Sequence, residues 1–255
     1  MDLGLKGKIA VVTGGSKGIG LACARAFLAE GGRVAIVSRS PANLDTARRT
    51  LAASADDLIA IPCDLIERSA AAAMVAEVER RLGPVDVLVN SAGAAKRYLP
   101  EDLNAAAWHA AMDAKYFTYI HAMDAVLAGM AKRGKGVVVN IVGMGGKVAT
   151  PIHLPGGAAN SALMLATVGL AHVYGPKGVR INAINPGATM TERVQEVLKL
   201  EAKRRGLSES ELLDQQQYLV ERLSKGRRIK QLRANVAVDA DNVEIRQAGG
   251  VPVEC

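Results

Sequence analysis

Aromatic residues are scarce in this chain, with five Tyr, two Phe and one Trp among 255 residues. Nucleic acid is therefore not an expected partner despite the formal net charge of +7. The basic runs Lys203-Arg204-Arg205 and Arg227-Arg228 lie among acidic residues or near the end, and read as solvated faces. Cysteine is equally sparse. Cys23, Cys63 and Cys255 are odd in number, widely spaced and without C-x-x-C pairing, which argues against a disulfide framework and against a metal site. No run approaches the roughly 18 uninterrupted apolar residues of a membrane span, so no membrane partner is expected. A glycine-rich segment already begins at Gly14, leaving no room before it for a secretory leader, and a cytoplasmic location is expected. What remains, 49% hydrophobic and 22% charged, suits one large globular core.

The glycine-rich segment is Thr13-Gly14-Gly15-Ser16-Lys17-Gly18-Ile19-Gly20. It follows a short apolar run, Ile9 to Val12, and opens a helix-patterned segment. Glycines at 14, 18 and 20 remove the Cβ atoms that would hold a pyrophosphate away from the backbone, and a helix N-terminus beyond them supplies free N–H donors. Strand, glycine turn and helix in this order make a dinucleotide site.

Apolar runs alternate with helical patterns along most of the chain. Ile9–Val12, Arg33–Val37, Leu58–Ile61, Val85–Val89, Gly136–Val142 and Val179–Ile184 read as strands, with helices near 18–30, 41–53, 68–82, 101–132, 157–173 and 191–204. This rhythm predicts an α/β fold with a doubly wound parallel sheet, Rossmann-type and three-layered, in a single domain. Ligand sites in such sheets collect at the carboxyl ends of the strands, where the glycine loop, Arg39, Asp64, Asn90–Gly93 and Pro186-Gly187 would converge.

The spacing G-x-x-x-G-x-G, together with Asp64, Asn90-Ser91-Ala92-Gly93 and Asn185-Pro186-Gly187, resembles the short-chain dehydrogenase/reductase family over about residues 5–193. The resemblance implies a nicotinamide cofactor. At the end of the second strand, where a carboxylate would accept from the ribose hydroxyls, this chain has Ser38-Arg39, and Lys17 adds a second cation. NADP(H) is the implied form. By the same resemblance the loop residues Gly14, Ser16, Lys17, Gly18, Ile19 and Gly20 hold the pyrophosphate and Asp64 and Leu65 the adenine. Asn90, Ala92 and Gly93 line the ribose, Pro186, Gly187 and Thr189 the carboxamide, and Thr191 lies near the pyrophosphate. Cys23 and Cys63 read as packing residues.

The family's catalytic positions are another matter. Registering the segment after Asn140-Ile141 from both sides places Gly143 at the family's Ser, Gly156 at its Tyr and Asn160 at its Lys, and counting from Trp108 places Lys115 at its Asn. The family's usual general acid is absent on this register. Its Asn/Lys pair stands reversed, as Lys115 and Asn160, so one cation is retained. A lysine desolvated there could act as an acid or electrostatic stabiliser, although a lysine on an amphipathic helix is ordinarily solvated. His153, Ser161, Tyr98 and Tyr116 are further donors near in sequence; His153 reads equally as a structural histidine in the loop Pro151–Pro155.

Residues 191–223 are long, polar and helical, with Ser208 and Glu211 in a capping-box pattern. In the family this region is a substrate lid; from residues alone it is equally a pair of surface helices. Similar proteins end in a helix, a strand and a glycine-containing turn, whereas Ile229–Cys255 offers only short alternations around Asp241-Asn242. The expected organisation is thus a dinucleotide-binding domain over 1–228 and an atypical tail over 229–255. Function is expected to be hydride transfer between NADP(H) and a small carbonyl or alcohol with an altered proton relay. The alternative is an inactive homologue that binds NADP(H) in a regulatory role. The resemblance implies a homo-oligomer, dimer or tetramer, unless the tail disrupts it.

Overall fold

The computed structural model describes residues 2–93, 95–187, 193–208 and 210–212. Apolar, largely β-branched runs make six strands, β1 (Ile9–Thr13), β2 (Arg33–Ser38), β3 (Leu58–Pro62), β4 (Val87–Asn90), β5 (Gly136–Ile141) and β6 (Val179–Ile184). They pair in parallel in the order β3-β2-β1-β4-β5-β6. This is the doubly wound Rossmann-type sheet that the alternation of elements predicts. The order reverses between β1 and β4, so their carboxyl ends form the switch point where such sheets take ligands.

The helices are α1 (Gly18–Ala29), α2 (Pro41–Leu51), α3 (Arg68–Arg81), α4 (Ala105–Ala111), α5 (Thr118–Lys132), α6 (Leu154–Tyr174) and α7 (Arg193–Arg205). Side chains alternating along the strands feed two cores. Ala10, Val12, Val34, Ile36 and Val89 meet Ala24, Leu44 and Ala47 of α1 and α2. Val11, Ala35, Val37, Leu88 and Val138 meet Val75 and Val78 of α3, Met123 and Leu127 of α5, and Leu163 of α6.

One expectation needs correction. The helix foreseen over 101–132 is three pieces: a 3-10 turn at Pro100–Asp102, then α4, then α5 reached through a π-helical turn at Met112–Phe117. Asn104 breaks the first junction by capping α4, its Oδ1 accepting from the Ala107 amide at 3.0 Å. The expectation that no run approaches about 18 uninterrupted apolar residues stands, since His153, Asn160, Ser161, Thr167 and His172 interrupt the longest apolar helix. Pro151–Lys177 is long and apolar enough, at mean hydropathy 1.2, to cross a membrane by length and composition. In the fold it is a layer helix that buries Pro155, Ala159, Leu163 and Thr167.

The carboxyl ends of the central strands are tied by a chain of buried polar side chains. Thr13 Oγ1 donates to Asn90 Oδ1 at 3.3 Å, Asn90 Nδ2 to Asn140 Oδ1 at 3.0 Å, and Asn140 Nδ2 to Thr167 Oγ1 at 2.9 Å. Thr167 Oγ1 in turn donates to the Leu163 carbonyl at 2.7 Å. Buried polar groups are tolerated because each bond satisfies the next.

The chain divides into two compact units, Met1–Pro186 and Gly187–Cys255. Within the second, Glu201 binds Arg204 and Arg205 and its carboxyl is held down at about 2, chiefly by the Arg204 hydrogen bonds. Ser208 and Glu211 form the expected capping box, with Ser208 Oγ accepting from the Glu211 amide at 3.2 Å and Glu211 Oε2 from the Ser208 amide at 2.8 Å. The rest of the expected lid, the 228/229 boundary and the whole tail lie outside the described residues.

Asn140→Ala removes the middle link and strips Asn90 Nδ2 and Thr167 Oγ1 of a buried partner. The expected loss is about 1–3 kcal/mol, read as a lower urea midpoint with an unchanged slope.

Candidate functional site

The glycine loop is shaped by contacts that only glycine permits. Gly14 sits at φ +67°, and a Cβ there would stand 2.8 Å from the Ala92 amide nitrogen. A Cβ on Gly20 would run into the Gly14 carbonyl oxygen. The loop amides of Gly14 and Gly15 donate back to the Val37 carbonyl, and no side chain caps the start of α1 at Lys17. An N-terminus left in this state offers donors to an anion. Thr13 completes the cradle by accepting from the Ser91 and Ala92 amides at 3.1 and 3.2 Å, which clamps the 91–93 turn beside the loop.

Against this turn lies a cleft of about 160 Å³. The structure brings Gly14, Ser38, Arg39, Asp64, Leu65, Ala92 and Gly93 together in its lining, joined by Cys63, Ala114 and Thr118. Arg39 is exposed at the cleft, with no carboxylate at the end of β2 beside it. Asp64 is exposed, and one of its oxygens accepts from the Ile66 amide at 3.1 Å. The Cys63 thiol is pushed up by burial and then by the Asp64 carboxylate, and the Cys23 thiol by burial. Both are therefore poor nucleophiles, as packing residues should be.

Other assigned residues do not line the cleft. The Asn90 side chain is fully buried between Thr13 and Asn140, so it acts on the cleft through the strand end it fixes. Ser16 is buried and Lys17 exposed in the loop itself, and Gly18, Ile19 and Gly20 form the first turn of α1. Pro186 lies beyond β6, its carbonyl accepting from the Met144 amide at 3.0 Å. Gly187 begins the second unit, and Thr189 and Thr191 lie outside the described residues.

At the positions assigned to the family's Ser, Tyr and Lys, the turn after β5 packs flat on the start of α6. Gly143 has φ +127°, and a Cβ there would lie 3.3 Å from Asn160 Nδ2. Asn160 is 4% exposed, and its Oδ1 has no hydrogen-bond partner among the described residues. The His153 imidazole occupies the space above Gly156, where a Cβ would collide with Cε1 and stand 2.7 Å from Nδ1. On its other side a Cβ at Gly145 would meet His153 Cδ2 at 2.8 Å. Ser161 Oγ donates to the Gly146 carbonyl at 2.6 Å and closes the packing. Tyr98 is held through its amide to the Ile152 carbonyl, and Tyr116 packs edge-on to Phe117.

Lys115 stands in the π-helical turn and is 8% exposed. Of the two readings left open for it, solvated or desolvated, the second holds, and its ammonium bonds to buried oxygens. Nζ donates to Tyr119 Oη at 2.7 Å and to the Ile141 carbonyl at 3.0 Å, and Tyr119 Oη donates to the same carbonyl at 2.6 Å. Sequence reasoning missed Tyr119. The i, i+4 spacing of Lys115 and Tyr119 was the available signal.

Comparison with known proteins settles the family. Residues 8–202 match the short chain dehydrogenase family profile. The chain belongs to that family. It is 31% identical over 194 residues to gluconate 5-dehydrogenase of Gluconobacter oxydans, covering 76% of each chain. L-Sorbose reductase of Gluconobacter frateurii, solved with NADPH and L-sorbose, aligns at TM-score 0.74 and 27% identity over 84% of this chain and 81% of that one. An NADPH-bound short chain oxidoreductase of Pseudomonas aeruginosa PAO1 described as having an atypical catalytic center aligns at TM-score 0.70 and 29% identity, over 77% and 76%. As a short-chain dehydrogenase the chain has an oxidoreductase scaffold that takes a nicotinamide cofactor, in a family whose members act on alcohols and carbonyls.

Restoring side chains at the glycines is expected to destabilise this short-chain dehydrogenase. Gly143→Ser forces a side chain into left-handed backbone, at about 1–3 kcal/mol, and Gly156→Tyr must evict His153. Each variant should melt several degrees below the parent by calorimetry; unchanged melting of both would contradict the packing described.

Proposed function

We propose that this protein binds NADP(H) and moves a hydride to or from a small carbonyl or alcohol with an altered proton relay. Arg39 at the cleft carries the cofactor choice. A guanidinium at the end of β2 offers paired donors to a 2′-phosphate, where a carboxylate would repel it. The nicotinamide, when bound, supplies the hydride chemistry. The chain's part is to hold the phosphates at the glycine loop, to place Arg39 and Ser38 against the ribose phosphate, and to provide a proton near Gly143 and Gly156. His153, Asn160 and Lys115 are the polar side chains that surround those two glycines or stand behind them. His153 is the one with an ordinary range suited to proton exchange near neutrality.

A second reading, cofactor binding without turnover, draws on the same glycines. The flat packing of Gly143–Gly146 on α6 leaves no hydroxyl at the positions assigned to the family's Ser and Tyr. NADPH oxidation across a panel of carbonyls, and NADP+ reduction across alcohols, separate the two.

The proposal includes a cytoplasmic protein, where the free thiols of Cys23 and Cys63 stay reduced. It also includes a homo-oligomer built on α6, which presents Leu165, Val168 and Val173 at 76%, 54% and 56% exposure. A stripe of this kind is unfavourable in water and favourable between two copies.

NADPH should bind more tightly than NADH by about 1.5–3 kcal/mol for each charge-assisted hydrogen bond to the extra phosphate, before screening. Arg39→Asp should reverse the order in fluorescence titrations at one ionic strength, and equal affinities in the parent would sink the cofactor assignment. For the oligomer, Leu165→Arg with Val168→Arg should lower the mass measured by light scattering. A parent that is already monomeric at micromolar concentration would contradict the α6 contact.

A further inference from the structure

We propose that His121 is a positioning residue for the adenosine half of the cofactor, acting through the Leu65 carbonyl. The inference rests on the NADP(H) reading above and deepens it.

The lining of the cleft comes from separate stretches of chain. Asp64, Leu65 and Ile66 supply the turn after β3, and Ala114 and Thr118 supply the π-helical turn and the first residue of α5. His121 stands three residues beyond Thr118 on the same helix, and its Nδ1 lies 3.0 Å from the Leu65 carbonyl oxygen, across 56 residues of sequence. A carbonyl oxygen only accepts, so Nδ1 carries the proton and donates. One hydrogen bond thus joins the helix that carries Thr118 to the turn that carries Leu65.

Both partners of that bond are themselves held. The Leu65 side chain is 4% exposed and anchors the turn in the core shared by α3 and α5. Asp64 closes the turn from within, its carboxylate accepting from the Ile66 amide at 3.1 Å and its carbonyl from the Glu67 amide at 3.2 Å. On the helix, the His121 ring stacks on Phe117, four residues earlier, with centroids 5.8 Å apart and planes at 30°. Phe117 in turn meets Tyr116 edge-on at 5.2 Å.

A second tie between the same two regions is weaker. Arg68 Nε at the start of α3 reaches Asp124 Oδ2 on α5 at 3.6 Å, with side chains 77% and 49% exposed. An ion pair so open to water contributes little. The His121 bond is part-buried, and it is the one that fixes the spacing between the turn and the helix. An adenine laid against Leu65 and Thr118 needs that spacing, and walls that need no ordering on binding leave more of the contact energy as affinity.

The test is calorimetric titration of the full chain with NADPH and with 2′,5′-ADP, which keeps the adenosine and the 2′-phosphate and lacks the nicotinamide. The parent is compared with His121→Phe, His121→Leu and His121→Asn. His121→Phe keeps an aromatic ring against Phe117 without the donor, whereas His121→Asn gives up the ring and carries an N–H close to the place of Nδ1. Loss of the donor should weaken both ligands by the same factor, about three- to tenfold, the worth of one hydrogen bond, with unchanged stoichiometry. His121→Asn should stay within about twofold of the parent. His121→Leu repeats the loss of the donor with a smaller side chain if the Phe variant fails to fold. A folded His121→Phe or His121→Leu that binds both ligands as the parent does overturns the inference, as does a His121→Asn weakened as much as they are, or a loss seen with NADPH alone. A parent that binds neither ligand overturns the NADP(H) reading itself, and this inference with it.

Discussion

The hydrogen-bonded chain Thr13–Asn90–Asn140–Thr167 is the constraint on which the carboxyl edge of the sheet depends. It links β1, β4, β5 and α6 below the surface, where water cannot compete for the bonds. Thr13 is used three times, donating to Asn90 and accepting from two amides of the 91–93 turn. That turn forms one wall of the cleft and presses on the glycine loop at Gly14. Cleft, loop and the end of β5 are thereby fixed relative to one another by uncharged side chains, which add no net charge of their own to a site for phosphates.

Upon this frame the two ends of the site differ in kind. Around Arg39, Ser38 and Asp64 the polar groups are open to solvent and suited to a highly charged ligand. Around Gly143, Gly156 and Asn160 they are buried and closely packed, with Lys115 and Tyr119 behind them. On the proposed register the chain keeps the family's glycine loop and departs from it at Gly143, Gly156 and Asn160.

The strands were legible in the sequence because each is a short apolar run between turn residues, and all six lie within two residues of their expected bounds. The glycine loop was legible because its spacing, between an apolar run and a helix-patterned segment, is a pattern carried by adjacent residues. What escaped reading depends on partners far apart in the chain. Lys115 meets Ile141 26 residues away, and Asn90 meets Asn140 50 away. The Asn90 side chain was expected at the ribose because its position in the motif is fixed, but motif position does not reveal which face of the sheet edge a side chain takes. The π-helical turn at Met112–Phe117 also escaped, since one residue of excess leaves the helical pattern on each side intact.

The imidazole lodged between Gly145 and Gly156 has a consequence for descent. On the proposed register, a lineage that loses the tyrosine at 156 and then lets His153 fill the space has turned a ratchet. The tyrosine cannot come back while the imidazole is there, and removal of the imidazole alone leaves a void beside two glycines. Gly143, settled into left-handed backbone, blocks the serine by a separate route. On that register, Gly143→Ser, Gly156→Tyr and loss of the His153 imidazole each cost stability when made alone. The chain is held to its present site by packing as much as by any use to which that site is put.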